Sequence, residues 1–285
     1  MLIVQAKHLG MCFGVRDALD TMSALPDPYE VTVRGELVHN PVVTGELKGR
    51  GFHQQAEADR NRLPATPRVV ITAHGASDRE RERLKSLGYS LHDTTCPLVR
   101  RAHKAALHYH NKGYFLVVIG KRGHVEVEGL VGDLSHFTLV SSLDEVESYS
   151  ADKIAVVNQT TTRPDEVTRF HRRIQTLNLE KEVVLVDTTC APTRDRQEAV
   201  QELVQRVQAL VVVGGPNSNN TLALGQIAGL KGIPWWRVAQ AEELRPEWFQ
   251  GMRIVGLTAG TSTTDETVQE VYQALRRLAP QKLTA

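Results

Sequence analysis

Cysteine is scarce in this chain: three residues in 285, at positions 12, 96 and 190. So low and odd a count argues against the disulfide framework of a small secreted scaffold. No two cysteines lie within four residues of each other, so the short spacing typical of structural zinc is missing as well. A surplus of charge is also lacking. The 34 basic and 33 acidic side chains leave a formal net charge of +1, which removes the electrostatic case for nucleic acid or an anionic membrane as a partner. No apolar run approaches the roughly 20 residues that span a bilayer. The opening Met1-Leu2-Ile3-Val4-Gln5 is too short, and lacks the basic start, for a secretory signal. These absences predict a cytoplasmic protein. What is present, 41% apolar and 24% charged residues, is ordinary for a chain that buries a real core.

Two of the cysteines stand in near-identical words, Asp93-Thr94-Thr95-Cys96-Pro97 and Asp187-Thr188-Thr189-Cys190-Ala191. Each word ends a short expected strand (Tyr89–His92, Val183–Val186) and opens an expected helix (Val99–His110, Arg194–Val207). Cys12 has a looser version, a strand at Leu2–Gln5 leading through Gly10-Met11-Cys12-Phe13-Gly14 to a helix from Val15. The cysteines are 84 and 94 residues apart, so the repeating unit is a small α/β module rather than a solenoid turn. Further strands are expected at Glu30–Arg34, Arg68–Thr72, Tyr114–Ile119, Lys153–Val157, Leu210–Val213 and Arg253–Thr258. Continuous apolar runs such as Phe115–Ile119 suit strands buried on both faces of a parallel sheet. The expected fold class is therefore α/β, with three similar modules at 14–97, 98–191 and 192–285. The N-terminal segment 1–13 completes the third.

In open parallel sheets, ligands bind beyond the carboxyl ends of the strands. Three modules that each present one cysteine there could converge on a central point. Three thiolates without short spacing suit an iron–sulfur cubane better than zinc, and leave one iron open as Lewis acid and electron source. On spacing alone, three inert core thiols remain an equal alternative. Six loops carry polar words: Val38-His39-Asn40, Ala73-His74-Gly75-Ala76, Gly123–Gly129, Asn158–Thr162, Gly215–Thr221 and Ala259–Thr264. Taken singly, each is more readily a helix cap or a hydrogen-bonded histidine than a ligand site. As a set they read as an anion pocket for phosphate or diphosphate, with little net charge.

With these residues assembled, the chain resembles the 4-hydroxy-3-methylbut-2-enyl diphosphate reductase (IspH/LytB) family of the non-mevalonate isoprenoid pathway. The likeness runs over about residues 2–278 and rests on Gly10-Met11-Cys12-Phe13-Gly14-Val15, Val38-His39-Asn40, Ala73-His74-Gly75, Asp93–Val99, His124-x-Glu126-Val127-Glu128-Gly129, Gln159-Thr160-Thr161, Cys190-x-x-Thr193-x-x-Arg196-Gln197, Asn217–Asn220 and Thr258–Ser262. The resemblance implies a [4Fe–4S] cluster on Cys12, Cys96 and Cys190. It implies that His39, His74, His124, Ser218, Asn220 and Ser262 bind the substrate diphosphate. Glu126 would deliver protons, and Thr160 would order the substrate hydroxyl or its water. The implied reaction is reductive removal of an allylic hydroxyl to give isopentenyl and dimethylallyl diphosphate, with electrons from a donor such as ferredoxin or flavodoxin. The chain departs from the family pattern at Val125, where Pro is usual, at Asn219, Thr221 and Leu222-Ala223 in the loop after Asn217, and at Thr264. Two other readings stay open here: a related iron–sulfur reductase or dehydratase for another small substrate, and a non-catalytic cluster sensor.

Overall fold

Apolar, β-branched runs become strands, and the amphipathic stretches between them become helices. The structure is a computed structural model that describes residues 1–278; the end of the expected third module, 279–285, lies outside the described residues. In chain order the elements are β1 (Leu2–Gln5), α1 (Phe13–Ala24), β2 (Val31–Arg34), α2 (Pro41–Gly49), β3 (His53–Gln55), β4 (Arg68–Ile71), α3 (Asp78–Ser86), β5 (Ser90–Asp93), α4 (Pro97–Asn111), β6 (Phe115–Ile119), α5 (Val125–Val131), β7 (Phe137–Val140), β8 (Lys153–Asn158), α6 (Pro164–Leu177), β9 (Glu182–Val186), α7 (Ala191–Leu203), β10 (Ala209–Val213), α8 (Asn219–Leu230), β11 (Trp235–Val238), β12 (Ile254–Ala259) and α9 (Asp265–Leu278). No helix among the described residues is long and apolar enough to cross a membrane.

The strands form three four-stranded sheets, ordered β3-β2-β4-β5, β7-β6-β8-β9 and β11-β10-β12-β1. Every pairing among them is parallel. Numbered within its own sheet, each follows the order second, first, third, fourth. The N-terminal β1 serves as the fourth strand of the last sheet, with Leu2–Gln5 in register with Ile254–Leu257. The expected α/β class of three similar modules is thus the observed one. The strand expectations omitted β3, β7 and β11, which are the second strand of each sheet and lie at an edge. The expected helix Arg194–Val207 runs instead over Ala191–Leu203. Val204 and Val207 leave it to join the buried cluster beside β10.

The chain divides into two compact units. One comprises Met1–Phe13, His39–Val42 and the chain from Ala191 onward; the other comprises Gly14–Val38 and Val43–Cys190. In the first unit β10 is buried along its whole length. Leu210 and Val212 pack with α7 and α8 residues such as Val200, Leu203 and Leu224, whereas Val211 and Val213 pack with Val268, Val271 and Leu275 of α9. Alternate side chains entering two different clusters is the signature of a sheet covered on both faces. In the second unit β6 and β8 are divided likewise. Leu116, Val118, Ala155 and Val157 face one cluster with Ala102 and Ala106 of α4, and Val117, Ile119, Ile154 and Val156 face another with Phe170 and Ile174 of α6.

Gly225, inside α8, tests how tightly this packing is set. An alanine in a helix interior ordinarily gains about 0.5–1 kcal/mol over glycine. Here a Cβ would overlap the Trp235 ring, and overpacking costs about 1–3 kcal/mol. We expect Gly225→Ala to lower the melting temperature, and Trp235→Leu in the same background to restore it. A higher melting temperature for Gly225→Ala alone would contradict the packing.

Candidate functional site

The repeated Asp-Thr-Thr-Cys word is a wiring pattern. The Asp93 carboxylate accepts the Thr95 N–H at 2.9 Å, closing an Asx turn. The Thr94 hydroxyl donates to the Ile71 carbonyl of the neighbouring β4 at 2.7 Å. The Cys96 N–H then donates to the Ala73 carbonyl at 3.0 Å. The second word is wired the same way. Asp187 accepts the Thr189 N–H at 2.9 Å, the Thr188 hydroxyl donates to the Asn158 carbonyl of β8, and the Cys190 N–H donates to the Thr160 carbonyl at 3.0 Å. Cys12 lacks the Asp-Thr-Thr prefix, yet its N–H donates to the Thr261 carbonyl at 3.0 Å. Each cysteine therefore follows the fourth strand of a sheet and hangs from the loop after the third strand. Burial alone would push the Asp93 carboxyl up. Its bonds from the Thr95 hydroxyl and N–H, with Arg81 and Arg100 nearby, outweigh that and hold it below the ordinary carboxylate value.

Each cysteine also stands immediately before a helix: Cys12 before α1, Cys96 before α4 and Cys190 before α7. None of the three forms a disulfide, and all are half-buried. The Cys96 side chain makes no capping bond to α4, and a Cβ on Gly14 would overlap its Sγ. The room beside this sulfur thus depends on a glycine from the Gly10–Val15 motif. Among the described residues no trio of His, Cys, Asp or Glu gathers around a point suited to one metal ion. Cysteines at helix N-termini, one of them with a glycine set against its sulfur, fit a cluster, whose ligands go to separate iron atoms.

In the second unit, Glu126 is 3% exposed, not the solvated helix charge that its position early in α5 could equally have meant. Its carboxylate accepts the Thr160 N–H at 2.6 Å, while its own N–H donates to His124 Nδ1 at 3.1 Å. That bond assigns the ring proton of a neutral His124 to Nε2. The His74 and His124 rings meet edge to face, with centroids 5.6 Å apart. Thr160 is 4% exposed; its N–H reaches the Glu126 carboxylate and its carbonyl takes the Cys190 N–H. His74, Cys96, His124, Glu126, Thr160 and Cys190 are therefore knitted together. Val125 occupies the first turn-forming position of α5, where proline is readily accepted; without one, the bonds of Glu126 fix the segment.

In the first unit, Asn40 Nδ2 donates to the Ser262 carbonyl at 2.7 Å, and the Ser262 hydroxyl donates to the His39 carbonyl at 3.2 Å. Asn40 also caps α2 by accepting the Val42 N–H at 2.9 Å. Ser218 is the N-cap of α8, its hydroxyl accepting the Thr221 N–H at 3.2 Å. The bland reading of that loop as a helix cap is thus realised in part. Asn220 differs: it is 1% exposed and neither end of its amide has a partner. Burying an amide unsatisfied costs about 1–3 kcal/mol, which sets Asn220 apart from the capping Ser218 of the same loop. Thr221, one of the departures from the family pattern, is fully buried with its hydroxyl against Gly214 and Gly260.

All six polar loops fall after the first or third strand of a sheet: His39, Glu126 and Asn220 after β2, β6 and β10; His74, Thr160 and Ser262 after β4, β8 and β12. First and third strands are neighbours in this topology, and ligands bind where strand order reverses. Thr72 and Thr258, given no role from the sequence although Thr258 opens one of the family-like words, are fully buried hydroxyls without partners at the ends of β4 and β12. The shared Thr-Ala pair of Thr72-Ala73 and Thr258-Ala259 was the available signal. Sequence reasoning also passed over His103 of α4, whose ring lies behind Gly129 and bonds the Glu126 backbone. His103 Nε2 is buried without a partner.

Parallel sheets of this order, with polar loops at their switch points and a cysteine before a helix in each, define an α/β protein of three repeated modules. The chain belongs to the LytB protein family, whose model matches residues 3–276. It is 36% identical over 283 residues to the 4-hydroxy-3-methylbut-2-enyl diphosphate reductase of Methylibium petroleiphilum, covering 97% of this chain and 85% of that one. It is 32% identical to the Aquifex aeolicus protein of the same name, covering 99% of both. A solved (E)-4-hydroxy-3-methyl-but-2-enyl diphosphate reductase, described as the terminal enzyme of the non-mevalonate pathway, matches with a TM-score of 0.65 at 30% identity. That match spans 97% of this chain and all of the other. The Plasmodium falciparum reductase shares the fold, with a TM-score of 0.87 at 24% identity over 96% of this chain and 87% of its own.

His103 yields a prediction. Burial, with Arg81 nearby, lowers its pKa from 6.5 to about 4. Between those values the unfolded chain binds a proton that the folded one refuses, so stability falls as pH drops from 6.5 towards 4. Urea unfolding of His103→Gln should lose that part of the pH dependence. An unchanged slope would contradict the neutral buried ring.

Proposed function

We propose that this chain is a 4-hydroxy-3-methylbut-2-enyl diphosphate reductase that removes the allylic hydroxyl of its substrate to give isopentenyl and dimethylallyl diphosphate. The observation that carries the reading is Thr160, whose backbone takes the carboxylate of Glu126 on one side and the N–H of Cys190 on the other. An acid and a cysteine are thereby held to one peptide. Cys12, Cys96 and Cys190 would hold a [4Fe–4S] cluster. Such a cluster, when bound, supplies electrons and an iron open to an oxygen ligand.

The protein's own groups would do the rest. His39, His74, His124, Ser218, Asn220 and Ser262 would bind the diphosphate through hydrogen bonds rather than net charge, in keeping with a chain of charge +1. Glu126 would act as general acid on the departing hydroxyl. Its carboxyl is already oriented by the Thr160 N–H, so little reorganisation precedes proton transfer. Thr160 would order the hydroxyl or the water it becomes. The balance requires two electrons and two protons: the C–O bond breaks, water leaves with one proton, and the allylic carbon skeleton takes the other at either end. The electrons would come from a small external carrier such as ferredoxin or flavodoxin, in the cytoplasm, with neither nucleic acid nor membrane as partner. The repeated wiring also supports the proposed partition into modules 14–97, 98–191 and 192–285 completed by 1–13.

The test is anaerobic. Cluster-loaded protein, given dithionite and a viologen mediator, should consume 4-hydroxy-3-methylbut-2-enyl diphosphate and release five-carbon diphosphates. No consumption with an intact cluster would sink the proposal. Glu126→Gln should keep the cluster's absorbance and lose turnover by about 10²–10⁴-fold; a non-catalytic cluster sensor would be indifferent to it. Gly14→Ala should lower iron and sulfide content, because its new methyl group takes the space beside Cys96 Sγ. Full occupancy in that variant would remove Cys96 from the ligand set.

A further inference from the structure

We propose that the second unit carries a separate anion site, built by Arg34, Arg60 and Arg83, for a small phosphate-bearing ligand. These arginines line a cleft of about 340 Å³, together with Ser77, Glu80 and Glu128. That volume suits a small metabolite.

Arg34, the last residue of β2, is only 3% exposed. Burying a guanidinium is costly unless its donors are satisfied. Its Nη2 reaches Glu80 at 2.6 Å and the Arg60 carbonyl. Its Nε and Nη1 have no partner. Glu80 is already taken in a two-pronged pair by Arg83, at 2.7 and 3.0 Å, so one carboxylate serves two guanidinium groups. Arg60 has Glu57 Oε2 at 3.6 Å, an ion pair looser than a hydrogen bond, while Glu57 Oε1 accepts the Glu36 N–H at 2.9 Å. The wall thus presents three guanidinium groups together with the carboxylates of Glu80 and Glu128, and Glu57 lies beside Arg60.

Helix α3 does not supply the donors. Its first amides are taken by Asp133, at 2.6 and 2.9 Å, and by its N-cap Ser77 at 3.2 Å. The recognition is therefore by arginine, whose planar fork matches phosphate oxygens in pairs. No residue of the proposed substrate set belongs to the wall. Ala76 and Glu128, which do, stand two residues beyond His74 and Glu126.

The probe is inorganic pyrophosphate, titrated calorimetrically into cluster-loaded protein. We expect the number bound per chain to fall by one in Arg60→Gln/Arg83→Gln, with circular dichroism showing an unchanged fold. If that pair fails to fold, Arg83→Gln alone carries the test, since this side chain is 42% exposed. Stoichiometry and affinity equal to wild type in the folded variant would overturn the site. His124→Ala separates the two readings: it should remove the other bound pyrophosphate and leave this one. If His124→Ala changes nothing while the arginine variant loses one, the substrate-site reading fails and the cleft stands.

Discussion

The proposed reductase chemistry depends on one hydrogen bond made three times: the amide of a cysteine donating to the carbonyl of a loop on the neighbouring strand. The distance is 3.0 Å in each case. Its effect is to attach a thiol, at the start of a helix, to the loop that bears a candidate substrate ligand. Ala73 precedes His74, Thr261 precedes Ser262, and Thr160 is itself such a residue. While this bond holds, a displaced cysteine would carry its neighbouring ligand with it.

The Asp-Thr-Thr-Cys word can now be read as a device for making that bond. Aspartate folds the chain back on itself, the first threonine fastens it to the adjacent strand, and the amide of cysteine follows. The second threonine is used differently in the two copies. Thr95 receives Arg81 at 3.0 Å, whereas Thr189 receives Asn158 Nδ2 at 2.9 Å. The parts that are identical make the backbone geometry, and the part that differs answers to the local surroundings.

Much of this was legible in the sequence, and the failures have a common physical origin. Central strands such as Phe115–Ile119 are buried on both faces and spell themselves in apolar letters. The strands that escaped notice, His53–Gln55, Phe137–Val140 and Trp235–Val238, each have one neighbour and mixed exposure. The edge strands β1, β5 and β9 are similarly placed but lead into the cysteine words that mark them; an edge strand without such a word, held by its partner's backbone, leaves little trace in its own side chains. The candidate site was legible as a set of polar words after apolar runs, but its wiring was not, because it runs through main-chain amides that every residue possesses. The burial of Glu126 was likewise invisible, and nothing in the sequence brings Arg34, Arg60 and Arg83 together.

The position of β1 sets an order of events during synthesis. It precedes every other described strand, yet among the described residues it pairs only with β12, at Ile254–Leu257. The strands of the other two sheets can find one another as they emerge, within 31–93 and 115–186. The third sheet must wait until β12 has left the ribosome. Before then the amide of Cys12 has no Thr261 to meet. A cofactor requiring all three thiols could therefore be installed only after β12 has been made, whereas the folding of the middle of the chain is under no such delay.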